Sequence, residues 1–170
     1  MYIRAQPQGL TSFGRFTISR SQLLIFTLDA QRYALRLTAV AKVVRAAAVT
    51  PLPKAPEIVL GVLDLQGEVI PVIDLRRRFG LPARGLRTSD QFVVAQARAL
   101  TVALAVDGVE SVLEGDDELV IAPESIVDGT SFLEGVIRTA DGLVLIHDLA
   151  QLLFPEEETL LKEALARSEQ

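Results

Sequence analysis

Few residues in this chain could carry out catalysis. His147 is the only histidine, so a serine triad or a histidine acid–base pair would have to use it. It stands beside Asp148 in a predicted strand, where adjacent side chains point to opposite faces. Glu110 and Glu114 could act as an acid and a base, but no pattern places them in a pocket. We therefore predict that the protein is not an enzyme and has no catalytic residues.

Cofactor and metal sites also lack the necessary residues. The chain has no cysteine, which excludes disulfides, thiolate metal sites and cysteine nucleophiles. The acidic run Asp116, Asp117 and Glu118 is expected to be a solvated turn rather than a metal site. No glycine-rich nucleotide loop, no phosphate loop ending in Gly-Lys-Ser/Thr and no Gly-x-Ser-x-Gly elbow occurs. The sequence therefore predicts no cofactor and no metal.

The clearest pattern is a repeat. Residues 61–75 are matched by residues 135–149, and both units start with Gly-Val, turn at a second glycine or its neighbour and end with Asp-Leu. The first glycine and the aspartate are 13 positions apart in each copy (74 − 61 and 148 − 135). A second match relates residues 34–44 to residues 103–113, at a spacing of 69 positions. A duplicated β unit favours a scaffold over a single catalytic pocket.

Composition narrows the class of protein further. Of the 170 residues, 49% are hydrophobic and only 5% are aromatic, so the core must consist mainly of aliphatic side chains. A formal net charge of −5 argues against general polyanion binding. The longest apolar runs are far too short to cross a bilayer, and residues 1–20 lack the apolar centre of a secretory signal. The basic cluster Arg76, Arg77 and Arg78 is expected to be a solvated start to a loop or helix.

Short apolar runs separated by turn residues predict a mainly β protein. Residues 23–28 have the length and composition of a buried strand, and residues 33–37 alternate as a half-buried strand does. A hairpin over residues 62–73 is expected to turn at Gln66-Gly67, because glycine can adopt a positive φ. Pro71 donates no backbone hydrogen bond, so its strand is expected to lie at an edge or to be bulged there.

The polar segment 81–89 is the best boundary between the two halves. Near the C-terminus, Pro155 precedes three glutamates, as expected at a helix start. Leu160, Leu161, Ala164 and Leu165 share one face of that helix, which should pack on the β body. The predicted division is a flexible N-terminal arm, two β-barrel subdomains and a C-terminal helix, over residues 1–20, 21–86, 87–154 and 155–170.

One set of residues goes beyond general β patterning. It comprises Phe26-Thr27-Leu28, Tyr33, Val40, Gly61-Val62, Leu65, Gly67, Pro71, Asp74-Leu75-Arg76 and Phe79-Gly80, with Val106-Asp107-Gly108-Val109 in the second half. With these residues the chain resembles the CheW-like family, the coupling proteins of bacterial chemosensory arrays. The likeness extends over residues 22–165. It implies a mainly β fold of two five-stranded SH3-like β barrels that share a hydrophobic seam, which agrees with the repeat.

The resemblance also implies a function. Proteins of this family are non-catalytic adaptors that join the cytoplasmic tips of chemoreceptors to the regulatory domain of a CheA-type histidine kinase. The expected partners are therefore a methyl-accepting chemoreceptor tip and that kinase domain, with no nucleic acid and no direct membrane insertion. The expected location is the cytoplasm, in receptor arrays at the inner membrane. The resemblance assigns no kinase-binding residues in this chain.

Receptor contacts in the family cluster around the seam and around an Asn-Leu-Arg-Gly turn. Carried over by position, the receptor-binding residues are Val40, Lys42, Gly61, Asp64, Leu65, Gln66 and Gly67. Here Asp64 and Gln66 replace the family's Asn and Arg, and Lys42 stands where the family usually has an acid. We expect Lys42 to face Asp64 or Glu68, and we expect this changed polarity to alter receptor specificity, as in a divergent paralogue.

Two other readings of the sequence are considered. The first is a CheW-like module that has lost receptor binding and acts only with the kinase or another regulatory partner. The second is a small β-barrel enzyme or ligand-binding protein. That reading predicts a deep polar pocket, whereas an adaptor predicts exposed apolar strand edges and a shallow groove.

Overall fold

The computed structural model describes residues 21–115 and 133–170. The expected N-terminal arm, residues 1–20, and the acidic run 116–118 lie outside the described residues. The strands are β1 (Ser21–Leu28), β2 (Gln31–Arg36), β3 (Val40–Arg45), β4 (Val59–Leu65), β5 (Glu68–Asp74), β6 (Gln91–Ala97), β7 (Leu100–Val106), β8 (Gly108–Gly115), β9 (Leu133–Thr139) and β10 (Gly142–His147). The helices are α1 (Leu75–Arg78) and α2 (Pro155–Ser168), with short 3-10 turns at Leu37–Ala39 and Leu149–Gln151.

The strands form two five-stranded sheets. Sheet 1 has the order β8-β1-β2-β10-β9, and sheet 2 has the order β3-β6-β7-β5-β4. Neighbouring strands are antiparallel except for β2 with β10 and β5 with β7, which are parallel. The mainly β class, with two five-stranded SH3-like subdomains and a C-terminal helix, is as predicted.

The sheets do not follow the predicted division at residues 86 and 87. Sheet 1 takes β1 and β2 from the start of the described chain and β8 to β10 from its last part, whereas sheet 2 is formed by residues 40–106. Each sequence half therefore gives its first hairpin to one sheet and its last three strands to the other. The register shows the equivalence: Ala34 pairs with Ile146 in sheet 1 as Ala103 pairs with Val72 in sheet 2.

We call this arrangement, in which the first hairpin of each half joins the sheet of the other half, the exchange between halves. It explains the long apolar runs. The central residues of the two hairpins β1–β2 and β6–β7 are buried on both faces and are therefore apolar or aromatic, at 23–26, 33–35, 92–95 and 102–104. In β1, Leu23 and Ile25 belong to the small core enclosed by sheet 1, while Leu24 and Phe26 belong to a larger core shared by both sheets. The shared core is the hydrophobic seam. Leu152, Leu153, Leu161 and Ala164 complete it from the C-terminal segment.

Bulges occur at equivalent places in both sheets. The extra residues are Ala41 and Leu60 in sheet 2 and Glu110 and Glu134 in sheet 1. In sheet 1, Glu110 accepts a hydrogen bond from Arg32 at 2.9 Å, and Glu134 pairs with Arg36. The residues equivalent to these two arginines in sheet 2 are Thr101 and Ala105. In sheet 2, Thr101 and Ala41 therefore stand in place of the pair Arg32–Glu110. Ala105 and Leu60 stand in place of the pair Arg36–Glu134.

Pro71 is not where the sequence predicted. β5 lies inside sheet 2, between β7 and β4. The bulge in this hairpin is at Leu60 of β4 and not at Pro71. The proline is accommodated because the parallel pairing with β7 begins only at Val72, so no donor from Pro71 is needed.

Helix α2 packs on the β body as predicted. Pro155 occupies its first turn, and the Glu157 carboxylate accepts a hydrogen bond from the Phe154 backbone N–H at 2.9 Å. Leu161 and Ala164 are buried in the seam, but Leu160, expected on the same face, is 48% exposed. In the described segments neither helix has the length and apolar character that spanning a bilayer would require.

Candidate functional site

The seven residues predicted to bind a receptor lie at the two edges of sheet 2. Val40 and Lys42 belong to β3, and Gly61, Asp64 and Leu65 belong to β4. Gln66 and Gly67 form the turn that follows β4. Lys42, Asp64, Gln66 and Gly67 are exposed, Val40 and Leu65 are half-buried, and Gly61 is buried.

Gly61 is required by the backbone that passes beside it. The segment after β3 returns to β4, where Thr50 and Val62 exchange two backbone hydrogen bonds of 2.9 and 2.7 Å. Gly61 has φ +149°, and a Cβ added there would lie 2.2 Å from the Thr50 carbonyl oxygen. Real Cβ atoms do not approach so closely, so this position shapes the edge rather than offering a side chain.

The turn at residues 64–67 forms as predicted. Gln66 and Gly67 both have positive φ, 56° and 86°, as in the tight hairpin turns that match strand twist. The Asp64 carboxylate accepts a hydrogen bond from the Gly67 backbone N–H at 2.8 Å, which fixes its orientation. The turn therefore presents a held carboxylate and an exposed amide side chain.

The expected pairing of Lys42 with an acid of this hairpin is not formed. Among the described residues, Lys42 makes no ion pair with Asp64 or Glu68, and β3 and β4 lie at opposite edges of the sheet order. Asp64 uses its carboxylate for the turn instead. The pairing was expected from the acid–arginine pair that the family resemblance implies, but the other three strands of sheet 2 lie between β3 and β4 in the sheet order.

The three consecutive arginines are not a solvated basic patch. Arg76 is 7% exposed, and its Nη2 donates hydrogen bonds to Asp29 at 2.7 Å and to Asp107 at 2.8 Å. Its Nη1 donates to the Pro82 carbonyl at 3.2 Å. The Arg76 guanidinium holds the pKa of Asp29 below its usual value. Arg76 therefore joins the β1–β2 turn to the crossing from β7 to β8.

A second arginine extends this network into the linker between the halves. Arg84 donates two hydrogen bonds of 2.8 Å to Asp90 and also pairs with Asp107. Asp90 is buried and accepts a further bond from the Arg87 backbone N–H at 2.7 Å. The hydrogen bonds from Arg84 lower the pKa of Asp90, although burial alone would raise it. We call Asp29, Arg76, Arg84, Asp90 and Asp107 the crossover network.

The other two arginines of the cluster hold neighbouring segments. Arg78 pairs with Glu157 of α2, and its guanidinium carbon lies 4.2 Å from the centre of the Phe154 ring. Arg77 remains half exposed and donates to the Glu57 carbonyl at 2.9 Å. Sequence reasoning missed these roles because all the acidic partners are distant along the chain.

His147 is a packing residue. It is buried at the end of β10, with its ring stacked on Phe79 at 4.4 Å and tilted against Tyr33 at 5.5 Å between centroids. Burial raises the pKa of Tyr33. Asp148 points elsewhere, because its carboxylate accepts a hydrogen bond from the Ala150 backbone N–H at 3.0 Å and caps the following turn.

The two carboxylates considered as an acid–base pair each contact a different side chain. Glu110 contacts Arg32, and Glu114 accepts a hydrogen bond from Gln22 at 2.7 Å. Within residues 21–115 and 133–170, no group of three or more His, Asp or Glu side chains is placed to hold a metal ion.

Comparisons with known proteins point to one family. Residues 22–156 match the CheW-like domain. The chain is 31% identical to the chemotaxis protein CheW of Rhizobium meliloti over 151 residues, covering 88% of this chain and 93% of that protein. The chemotaxis protein CheW of Klebsiella aerogenes is 30% identical over 142 residues, covering 82% and 86%.

A solved structure agrees in fold. The crystal structure of the scaffolding protein TtCheW from Thermoanaerobacter tengcongensis superposes with a TM-score of 0.74 at 29% sequence identity. The superposition covers 81% of this chain and 95% of that chain, so it includes strands of both sheets.

Proposed function

The chain belongs to the CheW-like family, and from that premise we propose that it is a non-catalytic adaptor that couples chemoreceptor cytoplasmic tips to a CheA-type histidine kinase. Its role as a chemotaxis scaffold follows from the family. The observation that supports the proposal most is the extent of the match, since residues 22–156 take in the strands of both sheets in the described segments rather than one sheet. The proposed place of action is the cytoplasmic side of a receptor array.

We propose that the receptor contacts the two edges of sheet 2 through the seven residues predicted from the sequence. Lys42, Asp64 and Gln66 are exposed there, and the carboxylate of Asp64 is already fixed by the turn. An ordered polar group loses little freedom on binding, which favours its use in recognition. Gly61 contributes by allowing the Thr50 backbone to lie against β4.

The proposed receptor specificity differs from that of the family pattern. Lys42 and Asp64 have no ion pair with each other, so each presents its own charge to a partner. Lys42 on one edge would repel a receptor tip that places a positive charge opposite it, and Asp64 on the other edge would repel a negative charge placed opposite it. This chain would then serve a specialised array, as a divergent paralogue.

Charge reversals test this role with two purified partners. Lys42→Glu and Asp64→Lys are each measured in pull-downs against receptor tips and against the kinase regulatory domain. We expect each reversal to change receptor binding by about tenfold, which corresponds to roughly 1.4 kcal/mol, and to leave kinase binding unchanged.

Lys54→Glu, at an exposed turn and without an ion pair in the described segments, is the matched control for the lysine and should bind as the original chain does. If the original chain binds the kinase domain but no receptor tip, the kinase-only alternative replaces the proposal. If it binds neither, the adaptor role is wrong for this chain.

A further inference from the structure

We propose that Arg45 is a further specificity-determining residue, and that together with Lys42 it binds a receptor helix whose acidic residues are seven positions apart. We call Lys42 and Arg45 the basic rim. This role rests on the proposed function, in which the receptor contacts the edges of sheet 2. Arg45 is not among the residues that the family resemblance supplies, and the basic rim also defines the charge of the partner.

Both residues of the basic rim belong to the edge strand β3 of sheet 2. β3 has only β6 as a neighbour in the sheet order, and Lys42 and Arg45 are exposed. Side chains three positions apart in a strand point to opposite faces of the sheet. At an edge strand both long side chains can extend past the sheet, one from each face, and they start about 10 Å apart along the strand.

Neither cation of the basic rim is neutralised within the described segments. Arginines elsewhere in these segments contact acids, as Arg32 does with Glu110 and Arg98 with Glu158. Lys42 and Arg45 make no ion pair with any described residue. The chain has a formal net charge of −5, so two such cations close together run against its overall charge. Their attraction is left for an acidic partner.

The equivalent position in sheet 1 has the opposite charge. Arg45 lies opposite Gln91 in the β3–β6 register, and the residues 69 positions away from these two, Glu114 and Gln22, lie opposite each other in sheet 1 (114 − 45 and 91 − 22). In sheet 1 the Gln22 side chain donates a hydrogen bond of 2.7 Å to Glu114. In sheet 2 the Gln91 side chain instead accepts a hydrogen bond of 2.7 Å from the Val109 backbone N–H.

This difference separates Arg45 from the needs of the fold. Gln91 joins sheet 2 to β8 of sheet 1 through Val109, and it does not hold the neighbouring residue of β3 as Gln22 holds Glu114. The same place in the two sheets accepts an arginine or a glutamate. The positive charge at Arg45 is therefore explained by what binds the edge and not by packing within the sheet.

The residues between the two cations are apolar. Val43 packs against the seam and Val44 against the smaller core within sheet 2, and both are half-buried. The basic rim thus has a charge at each end and a partly exposed apolar centre. Helix residues seven positions apart lie on one face, about 10 Å from each other. A helix with acids at i and i+7 and apolar residues at i+3 and i+4 matches this surface.

Calorimetric titration of the full chain with a purified receptor tip tests the role of Arg45. Arg45→Glu should weaken tip binding at least tenfold, because attraction becomes repulsion, whereas Arg45→Lys should stay within about threefold. Lysine is then substituted for each acid of the tip in turn. The substitution at the acid that faces Arg45 should weaken binding of the original chain and restore binding of Arg45→Glu.

A matched control separates this contact from general charge effects. Arg138→Glu makes the same change at another exposed arginine without an ion pair in the described segments, and should bind the tip as the original chain does. Charged residues on an edge strand also deter aggregation. Arg45→Glu keeps a charge there, so that role alone predicts unchanged tip binding. Thermal unfolding checks that every variant is folded.

Normal tip binding by Arg45→Glu would overturn the role of Arg45 and leave the adaptor function standing. A scan in which no substitution in the tip restores binding of Arg45→Glu would do the same. An original chain that binds no receptor tip would overturn both this role and the receptor part of the proposed function.

Discussion

Gly61 and Gly67 both have positive φ, yet the structure gives them different tolerance of a side chain. A Cβ at Gly61 meets the Thr50 carbonyl, whereas nothing lies within 4 Å of a Cβ at Gly67. We expect Gly61→Ala to lower the free energy of unfolding by about 2 kcal/mol or more, since backbone strain and a clash act together. Gly67→Ala should cost about 1 kcal/mol from strain alone. Urea denaturation measures both values.

Equal losses at the two glycines would show that Thr50 moves aside easily. If Gly61→Ala instead keeps its stability but loses receptor binding, this glycine contacts the partner directly. The pair of variants thus separates a role in shaping β4 from a role in recognition.

Asp90 should make the free energy of unfolding depend on pH in the acid range. Its pKa is lowered in the folded state by hydrogen bonds from Arg84, so it contributes stability above its unfolded pKa, and that contribution is lost as pH falls through the folded pKa. We expect the free energy of unfolding to fall with decreasing pH below about pH 4, and Asp90→Asn to flatten this decline. Urea denaturation between about pH 3 and pH 7 measures the slope. Asp141→Asn, at an exposed turn, is the control; an unchanged slope in Asp90→Asn would refute the assignment.

The sequence predicted residue environments well where they depend on near neighbours. His147 falls at the end of a strand and points away from Asp148, as local alternation requires. The burial of Arg76 could not be predicted in this way, because its partners Asp29 and Asp107 are 47 and 31 positions away. A run of charges is solvated only when the fold brings no opposite charges to it.

At the level of elements, the paired substitutions at the bulges give a direct experiment. Arg36 and Glu134 of sheet 1 occupy the positions of Ala105 and Leu60 in sheet 2. Arg36→Ala and Glu134→Leu should each lower the free energy of unfolding by about 1 kcal/mol, because each leaves a half-buried charge without its partner. The double variant should cost less than the sum.

A double-mutant cycle measured by urea denaturation gives the coupling between the two positions. Arg138→Ala combined with Glu134→Leu is the control, since Arg138 lies on the same strand and does not contact Glu134. Additive losses for Arg36 and Glu134 would show that the ion pair contributes nothing beyond the separate side chains.

Turns were easier to predict than strand neighbours. The turn at Gln66-Gly67 is set by two residues and formed as expected, and the Asp-Leu at the end of each repeat unit caps a helical turn and buries a leucine. The exchange between halves gives no local signal. Because the repeats are alike, β1–β2 could meet strands of either half with the same hydrophobic pattern.

For the whole molecule, the exchange predicts that the sequence halves cannot fold separately. In a fragment of residues 21–86, the β1–β2 hairpin lacks its neighbours β8 and β10, which belong to the other half. We expect fragments 21–86 and 87–170 to be largely unfolded alone and to assemble into a folded pair when mixed. Amide dispersion in proton–nitrogen NMR spectra measures both states.

Residues 40–106 are the matched control. This fragment has nearly the same length as 21–86 but contains every strand of sheet 2, so it should retain more structure. Native dispersion in 21–86 alone would mean that the first half closes its own barrel without exchange.

The exchange also has a consequence for synthesis. The first hairpin leaves the ribosome long before β10, whose last residue is His147, so its two apolar faces stay uncovered while most of the chain is still being made. Translation at about 5–20 residues per second makes that interval several seconds long. Chaperone capture of the nascent chain should therefore concentrate on residues 21–36.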